Sequence, residues 1–343
     1  MTHSIRPSDT LMPESMTPPA LNSSLSRRSV LSAVAGGALC SMGLAGAAGA
    51  EPQAGETAKA PSDKTAFRYS LNTSTIRGQN VGIVKEIEIA AAAGYNAIEP
   101  WMGTLDEYVK GGGSLSDLGK RILDAGLTVE SAIGFAQWIV DDPMARKAGL
   151  EQARRDMDTL AKIGGKRIAA PPVGAHDKPG PDLKTTAQRY HALLELGREI
   201  GVVPQLEVWG FSQTLSRLAE TVYVAVDTGH PQACMLLDVY HLHKGGSDFA
   251  SLTLLNGAAM HVFHMNDYPA TPGRAEIKDE HRVHAGDGVA PLSTILRTLH
   301  ATGFRGFLSL ELFNRDYWKM DPLEVAKTGL QKMRAAVEKS AGA

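Results

Sequence analysis

From Phe67 to the C-terminus, short apolar runs alternate with amphipathic stretches eight times, at a spacing of about 30 residues. The apolar runs predict strands at Phe67–Leu71, Ala97–Glu99, Thr128–Ile133, Arg167–Ala170, Val203–Glu207, Met235–Asp238, His261–His264 and Phe307–Leu312. The stretches that follow them predict helices over Val81–Ala93, Leu115–Ala125, Ala148–Ile163, Leu183–Ile200, Thr214–Val226, Phe249–Leu255, Leu292–Ala301 and Pro322–Glu338. Gly94, Gly126, Gly164 and Gly201 follow four of these helices, where a left-handed residue ends a helix. Strands separated by helices run parallel, because a parallel return needs a crossover, and that crossover is right-handed. Eight such units close a (β/α)8 barrel, the TIM-barrel architecture: an α/β fold in a single domain, residues 65–343. A doubly wound open sheet is the competing arrangement. It would gather polar residues at one switch point, whereas here they end many strands, and no Gly-rich phosphate loop follows the first strand.

The segment ahead of the barrel has another character. Ser26-Arg27-Arg28-Ser29-Val30-Leu31 is a twin-arginine pattern. An uncharged run of small and apolar residues follows it and closes on Ala48-Gly49-Ala50, an A-x-A cleavage site. Residues 1–50 are expected to be a twin-arginine signal peptide, and residues 51–64 a polar linker. A transmembrane anchor is the alternative, but Gly and Ala give this run little hydrophobic drive. The expectation is export by the twin-arginine (Tat) translocase to the periplasm, with no stable membrane association after cleavage. The 35 Lys and Arg against 37 Asp and Glu leave a net charge of −2, which suggests no nucleic-acid surface. Beyond the leader only Cys234 remains, so the mature chain can form no internal disulfide. Oligomeric state is not written in the sequence; a homo-oligomer stays open.

Charge at the strand ends carries the chemistry. Glu207, Asp238, His264 and Glu311 finish the fifth to eighth strands. Charged side chains seldom end buried strands unless they are paired or bind a metal. In a closed barrel these ends lie on one side of the rim, at the face where barrel active sites form. Three carboxylates and one imidazole suit Mn²⁺ or Mg²⁺, with Co²⁺ or Zn²⁺ also accommodated. Taken singly, each has a plainer role as a helix N-cap or salt-bridge partner. All four in register point to a divalent-metal site.

These segments resemble the xylose isomerase-like barrel superfamily, the sugar phosphate isomerase/epimerase group, across essentially everything from Phe67 onward. The pieces that carry the resemblance are Leu206-Glu207-Val208-Trp209, Leu236-Leu237-Asp238-Val239-Tyr240-His241, the HVFHMND run ending at Asp267, and Ser309-Leu310-Glu311-Leu312. Arg282 followed by Ala285-Gly286-Asp287-Gly288-Val289 is similar to a further family segment, and Glu99 to an early Glu-bearing strand end. One departure stands out. Ketose 3-epimerases carry Asn-Arg-(aromatic)-Glu after the first ligand, where this chain has Trp209-Gly210-Phe211-Ser212.

The resemblance implies metal-assisted proton transfer beside a carbonyl through an enediolate. Glu207 and Glu311 would be the base and acid as well as metal ligands. Trp101 and His241 would bind substrate, with Trp209 as a second flat wall; Glu99 would reach the substrate or pin another side chain, and Arg282 would hold a substrate oxygen or the carboxylate of Glu311; each also reads as an ordinary structural residue. His176 follows the fourth strand and would reach the mouth, His261 packs below the site, His243 lies on the solvent side or behind the site, and His281 and His284, in the variable loop, stay open. The polar segment from Tyr268 to His281 is expected to be a specificity loop. Export argues against a phosphorylated substrate, so the implied substrate is an unphosphorylated sugar, keto-sugar or cyclitol. A lyase or dehydratase shares the first proton abstraction. A non-catalytic sugar-binding barrel would need none of it. A nuclease of the same superfamily would need more metal ligands and a basic groove.

Overall fold

Eight short parallel strands form one curled sheet: β1 (Arg68–Asn72), β2 (Ala97–Glu99), β3 (Thr128–Val129), β4 (Arg167–Ala170), β5 (Val203–Glu207), β6 (Met235–Asp238), β7 (Met260–Met265) and β8 (Phe307–Leu310). The computed structural model describes residues 67–342, so the expected signal peptide and linker lie outside the described residues. The ladder order is β3-β2-β1-β8-β7-β6-β5-β4. The ring closes between the two end strands through individual backbone bonds. Lys166 N–H donates to the Val129 carbonyl, Ala132 N–H to Arg167, and Ala169 N–H to Ala132. That closure decides for the barrel against an open sheet, and the edge liability of an open sheet disappears with it.

The outer layer consists of α1 (Ile83–Ala93), α2 (Met102–Lys110), α3 (Leu115–Asp124), α4 (Pro143–Lys162), α5 (Leu183–Ile200), α6 (Leu218–Asp227), α7 (Val239–Lys244), α8 (Leu292–Ala301) and α9 (Pro322–Ala341). Helix α5 shows why these segments are helical. It buries Thr186, Ala187, Tyr190, Leu193, Leu194 and Gly197, a single 3.6-period face, and Asp182 caps its first turn by accepting from Thr185 N–H at 2.9 Å. Its end is set by Gly201 at φ 88°, a backbone that L side chains rarely adopt. Among the described residues, no helix is long and apolar enough to cross a membrane.

Several boundaries differ from the sequence expectation. Helix α4 starts at Pro143, not Ala148, because Asp142 caps it and Pro143 fits the first turn. Strand β3 stops at Val129; Glu130–Ile133 meets its neighbours only through scattered bonds. Phe249–Leu254 is a 3-10 helix, and α6 begins at Leu218. The sequence reading did not foresee α2 or α7. Helix α7 has six residues, too few to display a period, and follows β6 with no intervening loop.

Strand alternation sorts the side chains. Leu71, Ile98, Leu206, Leu237, Phe263, Met265, Leu308 and Leu310 point outward into the large core shared with the helices. Ala97, Leu236, Val262 and Phe307 point inward to a small apolar plug. Two residues beyond each plug residue, on the same inward face, stand Glu99, Asp238, His264 and Ser309. Register then places Asn72 beside Glu99, Asp238 beside His264, and His264 beside Ser309. Apolar below and ionisable above, the barrel interior becomes a site at its C-terminal rim.

Candidate active site

His264 is the centre of the rim cluster and is fully buried. Its Nδ1 lies 3.2 Å from Glu311 Oε2 and 3.8 Å from Asp238 Oδ2. The 3.2 Å approach is an ion-pair distance without hydrogen-bond alignment, so Nδ1 has no hydrogen-bond partner. The other ring nitrogen, Nε2, sits 3.0 Å from Glu99 Oε2. That same oxygen accepts from Asn72 Nδ2 at 2.9 Å and Ser309 Oγ at 2.7 Å. Glu99 is therefore fixed in a wholly buried network and orients the imidazole. It does not line the cavity where substrate binding was expected of it.

Asp238 has two duties. Its Oδ1 caps α7 by accepting from His241 N–H at 2.7 Å, while Oδ2 accepts from Asn266 Nδ2 and faces His264. Arg282 closes the floor. Its Nη1 donates to Asp238 Oδ2 at 3.0 Å and Glu311 Oε2 at 2.7 Å, and its Nη2 reaches His241 Nε2 and Asp279. The guanidinium also lies 4.4 Å from the centre of the Tyr240 ring and 5.0 Å from Phe313. Arg282 lines the cavity but is 1% exposed, with both terminal nitrogens engaged by protein groups.

Glu207 lines the same cavity and acts electrostatically on Glu311, Asp238 and His264. Its Oε2 is buried and unpartnered. Burial pushes its carboxyl up to about 8, opposed by His264 and assisted by the Glu311 and Asp238 charges. Glu311 has the opposite balance. Burial would raise it, but His264 and Arg282 hold it far below the usual carboxylate range. Burial works against charge on His264, yet Glu311 and Glu99 hold it well above an ordinary histidine. Burial and the neighbouring Arg282 lower His241.

Does this cluster fit a divalent cation? One donor atom each from Asp238, His264 and Glu311 falls within a 4.8 Å group. Two oxygens and one nitrogen form an acceptable partial donor set once His264 gives up its proton, and the buried Glu207 Oε2 has no hydrogen-bond partner. The donors fit. Glu207 stands outside the tight group of three, although four ligands were expected from the sequence.

The cavity above the floor is about 170 Å³ and mostly aromatic. Trp101 and Trp209 line it as expected walls, and His241 lines it too. Phe135, Phe211, Phe313 and Asp279 also line it and were not singled out from sequence. A signal was available for Phe313, which lies two residues past Glu311. Of the Tyr268–His281 segment only Asp279 reaches the cavity. His176 stacks edge-on behind Trp209 and Phe211 at 5.7 and 6.3 Å. His243 stacks on Tyr268 and His284 on Tyr317, away from the cavity lining.

Comparison with known proteins agrees with the barrel fold. The inosose isomerase of Bacillus velezensis is 26% identical over 265 residues, covering 76% of this chain and 94% of that protein. The 3-dehydroshikimate dehydratase of Pseudomonas aeruginosa is 25% identical over 283 residues, covering 80% of this chain but 42% of that longer protein. Among solved structures, the IolI protein with a bound zinc atom superposes with a TM-score of 0.73 at 22% identity, over 80% of this chain and 99% of that one. The profile of the xylose isomerase-like TIM barrel matches residues 87–336, and with the closed eight-stranded ring in place the chain belongs to that family.

Proposed function

We propose that the chain is a divalent-metal-dependent isomerase or epimerase that moves a proton beside the carbonyl of an unphosphorylated sugar, keto-sugar or cyclitol. That it is an enzyme of the isomerase and epimerase type follows from its relatives. The observation that carries the mechanism is that two buried glutamates line one cavity in different surroundings: Glu207 keeps an unpartnered Oε2, while Glu311 is held by Arg282 and His264. Asp238, His264 and Glu311 would hold the cation, with Glu207 Oε2 as the remaining free donor facing them. When bound, such a cation supplies Lewis acidity toward adjacent substrate oxygens. Mn²⁺ or Mg²⁺ matches the oxygen-rich set, with Co²⁺ or Zn²⁺ next.

Within this site Glu207 exchanges the proton on the carbon next to the carbonyl, because its Oε2 is free in the cavity and burial raises its affinity for a proton. Glu311 stays ionised. Arg282 fixes Asp238 and Glu311, and Glu99 fixes His264. The aromatic walls exclude water from the exchanging proton. A second reading, β-elimination after the same abstraction, is favoured by the dehydratase relative.

The test is deuterium uptake by ketoses, inososes and keto-glycosides incubated with the Mn²⁺-loaded protein in D₂O. One deuterium with the formula otherwise intact is the expected result. Loss of water or of a β-substituent assigns the protein to the lyases, and binding without exchange assigns it to non-catalytic sugar binders. We further propose export to the periplasm by the twin-arginine route, on the Arg27-Arg28 pattern alone; replacing both with Lys should retain the protein in the cytoplasmic fraction.

A further inference from the structure

The cavity is divided by polarity, and the division says what lies beyond the reacting ring. Glu207, His241, Asp279, Arg282 and Glu311 supply its polar groups. The walls and outer mouth are π-faces in a continuous arc. Trp101 contacts Phe135 at 5.1 Å between centroids, Phe135 contacts Trp209 at 6.3 Å, and Trp209 contacts Phe211 at 5.2 Å. Phe313 faces Trp101 from the far wall at 5.9 Å.

The outer members of the arc are unusual. Phe135 and Phe211 are each 42% exposed, on the loops after β3 and β5, although both line a concave site. Exposed rings that converge on a cavity mark a binding surface. The arc also offers little to a hydroxyl. Trp101 Nε1 is already committed to Asn72 Oδ1, and the phenylalanines have no donors. A polyol tail placed here would lose its hydrogen bonds to water with nothing in return.

We propose that Phe135 and Phe211, backed by Trp209 and His176, form an outer subsite for a flat apolar substituent, so that the substrate is a ring sugar or cyclitol bearing an aromatic or similarly apolar group, such as an aryl glycoside. This rests on the isomerase reading for the inner ring and adds the part of the substrate outside it. Offset or edge-on stacking against the two outer rings supplies the affinity, and the polar floor would receive the ring oxygens.

The experiment compares phenyl and methyl β-D-glucopyranoside binding to the Mn²⁺-loaded full-length protein by titration calorimetry. The pair differs only in aglycone and has no carbonyl to enolise, so binding is read without turnover. The phenyl glucoside should bind about tenfold more tightly. The double variant Phe135→Ala/Phe211→Ala should erase that preference and retain bound metal. Phe135→Leu/Phe211→Leu, which keeps apolar bulk, should restore only part of it. Equal affinities in the native protein, no binding of either glucoside, or a preference that survives the alanine pair would overturn the subsite. A phenyl preference with no deuterium exchange on any keto-sugar would uphold it while the isomerase reading fails.

Discussion

Glu207 and Glu311 are the same residue type in one cavity, and their surroundings give them different work. Glu207 keeps a free, buried oxygen, so Glu207→Gln should still bind a divalent metal through Asp238, His264 and Glu311. Its deuterium exchange should fall by roughly 10²–10⁴-fold, the usual contribution of a positioned acid or base. Loss of metal instead of exchange would make Glu207 a ligand and not the proton carrier. Glu99 acts at one remove. Because its Oε2 meets His264 Nε2, Glu99→Gln should weaken metal affinity by about 10–100-fold without unfolding the chain. Metal titration with a circular dichroism control checks this, and unchanged affinity would reduce Glu99 to a packing role. The sequence left Glu99 between a substrate contact and pinning another side chain, and it named no partner. A Glu at a strand end declares only that it faces inward; whether it meets a substrate or a histidine depends on the neighbouring strand.

Among the elements, α1 carries a cost that its pattern conceals. Glu86 is buried on it, beside Thr73, with one oxygen unpartnered. Burial raises its carboxyl to about 7, with the Thr73 bond opposing and Glu107 assisting. A folded pKa above the unfolded one means that the folded state binds the extra proton. Stability is therefore highest below the unfolded value of 4.5 and falls as pH rises through about 7. The loss is on the order of 3 kcal/mol when complete. Glu86→Gln should raise the denaturant midpoint at pH 8 and leave it nearly unchanged at pH 4.5; equal shifts at both pH values would sink this account. The helix itself was plain in the sequence from its apolar period and its Gly94 stop. Helices α2 and α7 were not, since short helices at strand ends are held by tertiary capping, as Asp238 holds α7.

For the whole molecule, the proposed metal site predicts that metal binding and folding are coupled. Without a cation the floor is held by Arg282 and by charge on His264. A cation must displace a proton from His264, because only the neutral imidazole offers Nδ1 as a ligand. Adding Mn²⁺ should raise the melting temperature, release protons, and give a larger shift at pH 8 than at pH 6. A shift independent of pH, with no proton release into weak buffer, would mean that the cation binds elsewhere.

The sequence by itself determined the period of the chain and hence the barrel, together with the four strand ends at which ionisable residues face inward. Those are local facts, since a strand of four or five residues fixes which side chains share a face, and a helix fixes its buried stripe. Tertiary structure decided how those residues pair. Arg282, distant in sequence from Asp238, became the counter-ion of the floor, and Glu99 became the partner of His264 across the barrel. Phe135 and Phe211 were brought from two loops into one mouth. Such contacts depend on strand register and ring closure, which bring together residues that no local spacing connects.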